Sequence, residues 1–314
     1  MIGRAKFTGL ALVLSLAGCA GPAPDSEVEA DVPEAVIEAQ LLVYTTNYPL
    51  AYFAERIGGD RVRVEFPAPS DTDPAYWSPT PDDVAAYQAA DIILLNGAGY
   101  EGWVAKTSLP ESRLVNTAAG FEGRFVVVEE AVVHTHGPEG EHEHENVAFT
   151  TWLDPLLATE QARAIRDAFA VRLPEAEAEL QSAFASLESD LAELDGRLEA
   201  WAEQVGAEPL LASHPVYQYL AARYDLDLRS VHFEPDEAPG AGAWRDLAAL
   251  VSGHPARVML WEGTPMPGTE ARLREDMGIA SVVFDPCASR PEAGDYLSVM
   301  RANADRLSAH ANRG

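Results

Sequence analysis

Half of the chain's eight histidines fall within HTHGPEGEHEHE, residues 134–145, with carboxylates, Gly and Pro between them. Imidazole is the commonest protein metal ligand, yet a stretch so interrupted by Gly and Pro imposes no ligand geometry of its own. A second set of ionisable residues is spread through the C-terminal part: His214 in SHPVYQYL, His232 and Glu234 in SVHFEPDE, Glu262 after RVMLW and Asp285 in SVVFD. Neutral imidazole and ionised carboxylate together are donors that suit a borderline divalent cation such as zinc. The N-terminal half contributes Asn47 and Tyr48, Asp73 with Tyr76 and Trp77, and Asn96. Taken singly, each of these serves equally well as a cap, a turn former or a buried polar contact. What sets them apart is their position relative to the apolar runs.

Those runs are LLVYTT, VRVEF, DIILL and FVVVEE in the first half and PLLAS, LDLRSV, RVMLW and SVVFD in the second. Most are near-continuous in apolar character and separated by helix-like segments such as PDDVAAYQAA and AWRDLAALV, the pattern of parallel sheets covered on both faces. The expected fold is therefore α/β, with two open parallel-sheet lobes. Between them Leu180, Phe184, Leu187, Leu191, Leu194, Leu198, Trp201 and Val205 recur at alternating intervals of four and three. This is one long helix beginning soon after Pro174, expected to pack along both lobes as a rigid spine and not to pair with a second chain. Ligands of open α/β sheets lie beyond the carboxyl ends of the strands, where the polar residues above fall, so facing lobes would gather them in one cleft. His214 and Asp285 are expected to project from neighbouring strand ends, and the histidine tract to follow the fourth strand.

Arg4 and Lys6 precede the apolar run GLALVLSLAG, too short to span a bilayer and closed by Leu16-Ala17-Gly18-Cys19, an ending that looks like a bacterial lipoprotein signal with an acylated cysteine. Residues 1–18 are then a signal peptide and 19–39 an acylated, acidic, Pro-bearing stalk. The body is held by lipid at the periplasmic or extracytoplasmic face of the cell envelope. With Cys19 lipidated, Cys287 has no disulfide partner. It is expected to be a small buried residue and not a ligand. Fifty acidic residues against 22 basic ones, a formal charge of −28, argue against nucleic-acid partners and for cations. The body divides into an N-terminal lobe, 40–160, carrying the His-rich loop 134–145, a helical segment, 161–206, and a C-terminal lobe, 207–314.

The stretches YPLAYFAERIGGDRVRVEFPAPSDTDP, SPTPDDVAAYQAADIILLNGAGYEGW, TTWLDP, SHPVYQYLAARYDL, SVVFDP and YLSVMRANADRL resemble the zinc- and manganese-type (cluster A-I) solute-binding proteins of bacterial metal ABC importers. The resemblance covers nearly the whole body. It implies two α/β lobes joined by a long helix and one divalent metal held between them as transported cargo. Many zinc-type members carry a His-rich loop just before the Trp-Leu-Asp-Pro segment, where this tract lies. The implied partners are the importer's membrane permease and, through the lipid, the membrane, with the receptor itself a monomer.

Two of the four family ligands carry over, to His214 and Asp285. The family's first metal histidine follows an Asp-Pro where this chain has Ala75, and its second stands where this chain has Thr150. Zinc takes three or four protein ligands, so the pair alone makes a weak site. Glu262, or His232 with Glu234, could complete it within the C-terminal lobe. Alternatively His142 or His144 could reach in, since an extended chain from His144 to Thr150 spans up to ~20 Å. As a third route, Tyr76 and Trp77, with Asn47, Asn96 and Thr150, would line the cleft for a chelated metal or a non-metal ligand. An enzyme is not expected, because neither an HExxH helix nor a nucleophile elbow is present; a metal-dependent hydrolase and an adhesive protein rank behind a receptor. The reading is a lipid-anchored receptor for a divalent metal, zinc first and manganese or iron as alternatives.

Overall fold

The computed structural model describes residues 40–70, 72–128 and 147–312. Cys19, the stalk and the histidine tract, including His142 and His144, lie outside the described residues. Leu41–Thr45 (β1), Val62–Glu65 (β2), Ile92–Leu95 (β3) and Leu114–Asn116 (β4) form an all-parallel sheet in the order β2-β1-β3-β4. Leu210–Ala212 (β5), Leu228–Ser230 (β6), Val258–Trp261 (β7) and Ala280–Val283 (β8) form a second in the order β6-β5-β7-β8. Ile92, Ile93 and Leu94 in the first and Met259, Leu260 and Trp261 in the second are all buried, which is why these strands read as unbroken apolar runs.

Parallel pairing needs long crossovers, and the residues that start the helices are explicit. Asn47 accepts a hydrogen bond from the Leu50 amide ahead of α1 (Tyr48–Gly58), and Thr80 and Asp83 cap α2 (Pro81–Ala89) reciprocally. Asp154 accepts from the Leu156 amide ahead of α3 (Pro155–Arg172), whose first residue is a proline with no amide to satisfy. The spine is α4 (Glu177–Val205), 29 residues ending at Gly206, whose positive φ of 58° suits glycine. In the second lobe α5 (Gln218–Tyr224), α6 (Ala241–Gly253) and α7 (Pro267–Met277) connect the strands, and α8 (Tyr296–Ala311) closes the chain behind an Asp295/Ser298 capping box.

The spine buries Leu180, Phe184, Leu187, Leu191, Leu194, Leu198 and Trp201 against α1 and α3 on one side and α8 on the other. Each such side chain stabilises by ~1.5–3 kcal/mol. Asp190 binds Arg56 of α1 at 2.8 Å and Arg301 of α8 at 3.0 Å, but pairs this exposed contribute only ~0–1 kcal/mol each. Apolar burial therefore holds both lobes to the spine. Among the described residues no helix is long and apolar enough to cross a membrane.

Two expectations need correction. The fourth strand of the first sheet is Leu114–Asn116 and not FVVVEE, whose Val127 makes only an isolated antiparallel bridge to Val147. Val127 is 69% exposed, so it has no sheet face to cover, and the 3-10 turns over Ala119–Arg124 have already led the chain off the sheet. In the chain the tract 134–145 lies between the two residues of this bridge. The boundary drawn between residues 160 and 161 falls inside the continuous helix α3.

Candidate functional site

In the C-terminal lobe the ladder continues past the strands: Val231 N donates to Ala212 O, Phe233 N to Ser213 O, Ser213 N to Leu260 O and Phe284 N to Trp261 O. The residues just beyond each strand thus stay in register. Given the order β6-β5-β7-β8, His214 must emerge between His232 and Glu234 on one side and Glu262 on the other. It does. His214 Nδ1 lies 3.3 Å from Glu262 Oε1 and its Nε2 3.6 Å from Glu234 Oε1, while the His232 ring stands edge-on with centroids 5.5 Å apart.

Asp285 is one strand further away. His214 and Asp285 are therefore not at neighbouring strand ends as expected, because β7 and its Glu262 stand between them. Burial raises the Asp285 carboxyl above the usual range, opposed by the Cys287 amide, which donates to Oδ1 at 2.7 Å, and by the charge of Arg306. Cys287 is buried as expected, and burial pushes its thiol up, away from the thiolate a metal would need. Burial, followed by the charges of Asp73, Glu234 and Asp285, pushes the Glu262 carboxyl up to about 8. Asp73 belongs to the other lobe, in the loop after β2.

The N-terminal strand ends do something different. Asn47 Nδ2, Thr151 Oγ1 and Gln161 Nε2 all donate to Asn96 Oδ1, at 3.2, 3.3 and 3.1 Å, and Asn96 Nδ2 donates to Phe149 O at 2.8 Å. Asn47 and Asn96 are fully buried, which corrects their assignment to the cleft lining. The Glu101 carboxylate accepts from Thr46 Oγ1 at 2.6 Å and from the Asn96 and Gly97 amides, yet burial still pushes it up to about 7. Sequence reading passed over Glu101. The signal was NGAGYE, in which Gly97, Ala98 and Gly99 all take positive φ and wrap the turn around that carboxylate.

Thr150 is also closed off, its hydroxyl donating to Val216 O at 2.5 Å in the loop after His214. Trp77 packs on Tyr87 and Trp103, with centroids 6.4 and 6.1 Å away, so it is a packing anchor and not a wall of the cleft. Tyr76 does reach the cleft: it is 49% exposed, and partial burial, then the charges of Asp73, Glu262 and Glu234, push its phenol up to about 12. The lobes are tied beside Asp285 by Tyr48 N to Ala288 O and Trp152 Nε1 to Pro286 O, at 2.9 and 2.8 Å. Among the described residues, no group of three or more His, Cys, Asp or Glu side chains is already arranged to hold a metal ion.

A sequence model of the family "zinc-uptake complex component A periplasmic" (ZnuA) matches residues 43–310. The zinc-binding lipoprotein AdcA of Streptococcus pneumoniae is 26% identical over 280 residues, covering 86% of this chain and 56% of the relative. This chain thus spans only about half the length of that protein. The high-affinity zinc uptake system protein ZnuA of Bacillus subtilis is 27% identical over 285 residues, covering 85% of this chain and 86% of the relative. Among solved structures, the metal-dependent lipoprotein YcdH of Bacillus subtilis superposes with a TM-score of 0.73 at 22% identity, covering 86% of this chain and 98% of that one. Zn(II)-bound AdcA from Streptococcus pneumoniae gives 0.72 at 22% identity, covering 87% and 57%. At such identities these likenesses speak for the fold, and they agree with the two parallel-sheet lobes and spine described above. With a sequence match running from β1 to the last turns of α8, the chain belongs to the ZnuA family of periplasmic zinc-uptake components.

Proposed function

We propose that this protein is a lipid-anchored extracytoplasmic receptor that captures a divalent metal ion, zinc first, and delivers it to the permease of an ABC importer. The observation that carries the reading is His214 standing between Glu262 and Glu234, 3.3 and 3.6 Å away, beside His232 and with Asp285 one strand further along. One imidazole flanked by carboxylates on a rigid sheet edge is a donor set a borderline cation accepts. Relatives are named as a zinc-binding lipoprotein and a zinc uptake protein, which supports metal cargo, acylation at Cys19 and a receptor in place of an enzyme. A chelated metal is the second reading, favoured by Tyr76, half exposed at the rim of the cleft.

The test is zinc affinity of the full chain in detergent, read by competition with a chromophoric chelator so that only tight binding registers. His214→Ala is expected to weaken the tight site at least tenfold while leaving the melting temperature within a few degrees. Unchanged affinity in that variant rejects a metal site at these strand ends.

A further inference from the structure

Asp285 stands just past the last strand of the second sheet, and β8 is an edge strand paired by β7 on one side only. Backbone groups of alternate residues in a strand point to the same side, so Phe284 faces β7 while Val283 and Asp285 face the open edge. On the inner side Phe284 N donates to Trp261 O at 2.8 Å, and Phe284 O accepts from the hydroxyl of Tyr217, three residues after His214, at 2.7 Å. On the outer side α8 does what a neighbouring strand would do. Asn303 Nδ2 donates to Asp285 O at 2.7 Å, Asp285 N donates to Asn303 Oδ1 at 3.1 Å, and Arg306 Nε donates to Val283 O at 2.8 Å.

We propose that Asn303 is the positioning residue for Asp285: by pairing with both backbone groups of that residue, it fixes where the carboxylate stands beyond the strand end. This rests on the receptor reading above, in which Asp285 is a donor to the ion.

Two features distinguish the arrangement from plain protection of a sheet edge. The first is where it acts. Asp285 lies beyond the last residue of β8, so its backbone would otherwise begin a free loop. A primary amide offers one donor and one acceptor, the complement of a peptide unit, and Asn303 is fully buried with both ends in use: Nδ2 also meets Met300 Sδ at 3.6 Å, and Oδ1 also accepts from Arg306.

The second feature is the turn that follows. The Cys287 amide donates to Asp285 Oδ1 at 2.7 Å, with Cys287 at a φ of 58° that few residues other than glycine adopt. Pro286 O and Ala288 O are held by Trp152 Nε1 and the Tyr48 amide of the other lobe. Four separate segments therefore bind the backbone around Asp285, and its carboxylate is what the turn presents. Rigid support of this kind is how proteins hold a metal ligand ready.

Asn303→Leu, similar in volume, removes both bonds. In the full chain in detergent, with zinc competing against a chromophoric chelator, it is expected to lower zinc affinity about tenfold, the effect usual for a residue that orients a ligand. If that variant does not fold, Asn303→Ser, which leaves space for water to serve the two bared groups, carries the same test with a severalfold loss expected. Leu307→Ala, one turn along α8 and buried in the same core, is the control: its melting temperature should fall while zinc affinity stays within about twofold. The deciding measurement is a double-mutant cycle. Made in an Asp285→Ala background, the same Asn303 substitution should change zinc affinity by no more than about twofold, because its effect passes through the carboxylate already removed. Losses that add in that background, a matching loss in Leu307→Ala, or parent-like affinity in Asn303→Leu or in Asp285→Ala each overturn the proposal, and a loss in His214→Ala then leaves the receptor reading standing. Parent-like affinity in both Asp285→Ala and His214→Ala overturns the two together.

Discussion

The two sheets share one topology, central strands flanked in the order 2-1-3-4, yet their strand ends are used in opposite ways. At the N-terminal sheet the polar residues turn inward: Asn47, Asn96, Thr151 and Gln161 bond one another, and Glu101 is wrapped by donors from Thr46, Asn96 and Gly97. At the C-terminal sheet His214 lies between Glu262 and Glu234, and all three keep part of their surface in solvent. A closed network spends its polar groups on holding strands and loops in place. An open cluster of carboxylates is a local instability that a ligand can relieve, the usual relation between a binding site and the fold that carries it.

The contrast is sharpest between two glutamates, Glu101 and Glu262, whose carboxyls are both pushed up by burial. Replacing Glu101 by Ala leaves the Gly97 amide without its acceptor, at ~1–3 kcal/mol, and leaves the Thr46 hydroxyl and the Asn96 amide only their longer bonds, to Leu94 O at 3.3 Å and to Thr46 Oγ1 at 3.4 Å. A stability loss of ~1–3 kcal/mol in urea titrations is expected. A loss below ~1 kcal/mol would mean that the network is not what fixes that lobe.

Glu262→Gln should act in the other direction. Its carboxyl binds a proton up to about pH 8 in the folded protein and only to ~4.3 when unfolded. That group's contribution to stability is therefore fully present below pH ~4, declines as pH rises, and is lost above about 8. The variant lacks this decline, so measured without metal it should be the more stable protein at pH 8, by ~1 kcal/mol or more, with the gap shrinking toward pH 5. The same proton must leave before Glu262 can bind an ion, so zinc affinity of the parent should still be rising between pH 7 and 8, above the ordinary histidine range. A plateau by pH 7 would remove Glu262 from the ligands.

Cys287→Ser is the smallest change expected. The thiol is buried beside the clasp between the lobes and its Sγ lies 4.0 Å from Ser289 O. Zinc affinity should stay within about twofold of the parent, with at most ~1 kcal/mol of stability lost to a buried hydroxyl. A tenfold loss of affinity would place sulfur among the ligands.

Much of this arrangement is legible along the chain because it depends on local spacing. The alternating interval of apolar residues from Leu180 to Trp201 specifies one helical stripe wherever the helix packs, and the structure buries every member of it. His214, Glu262 and Asp285 could be assigned to strand ends because each follows a strongly apolar run, whereas His232 and Glu234 follow LDLRSV, whose strand Leu228–Ser230 is short and largely exposed. Short strands such as Leu114–Asn116 escape that reading, since three residues carry no periodicity, while exposed FVVV mimics one.

Neighbourhood across the sheet and across the cleft belongs to another level. Strand order is a non-local outcome, and it alone places Glu262, instead of Asp285, beside His214. Whether an Asn or Glu at a strand end closes into a network or faces the cleft depends on which distant donors arrive there, as Gln161 from α3 does at Asn96. The Thr150 hydroxyl reaches Val216 O, in the loop after His214, only because both lobes are clamped to one spine. Side-chain type and spacing specify what a residue can offer; the charge or donor opposite it is set by packing between segments that lie far apart in the chain.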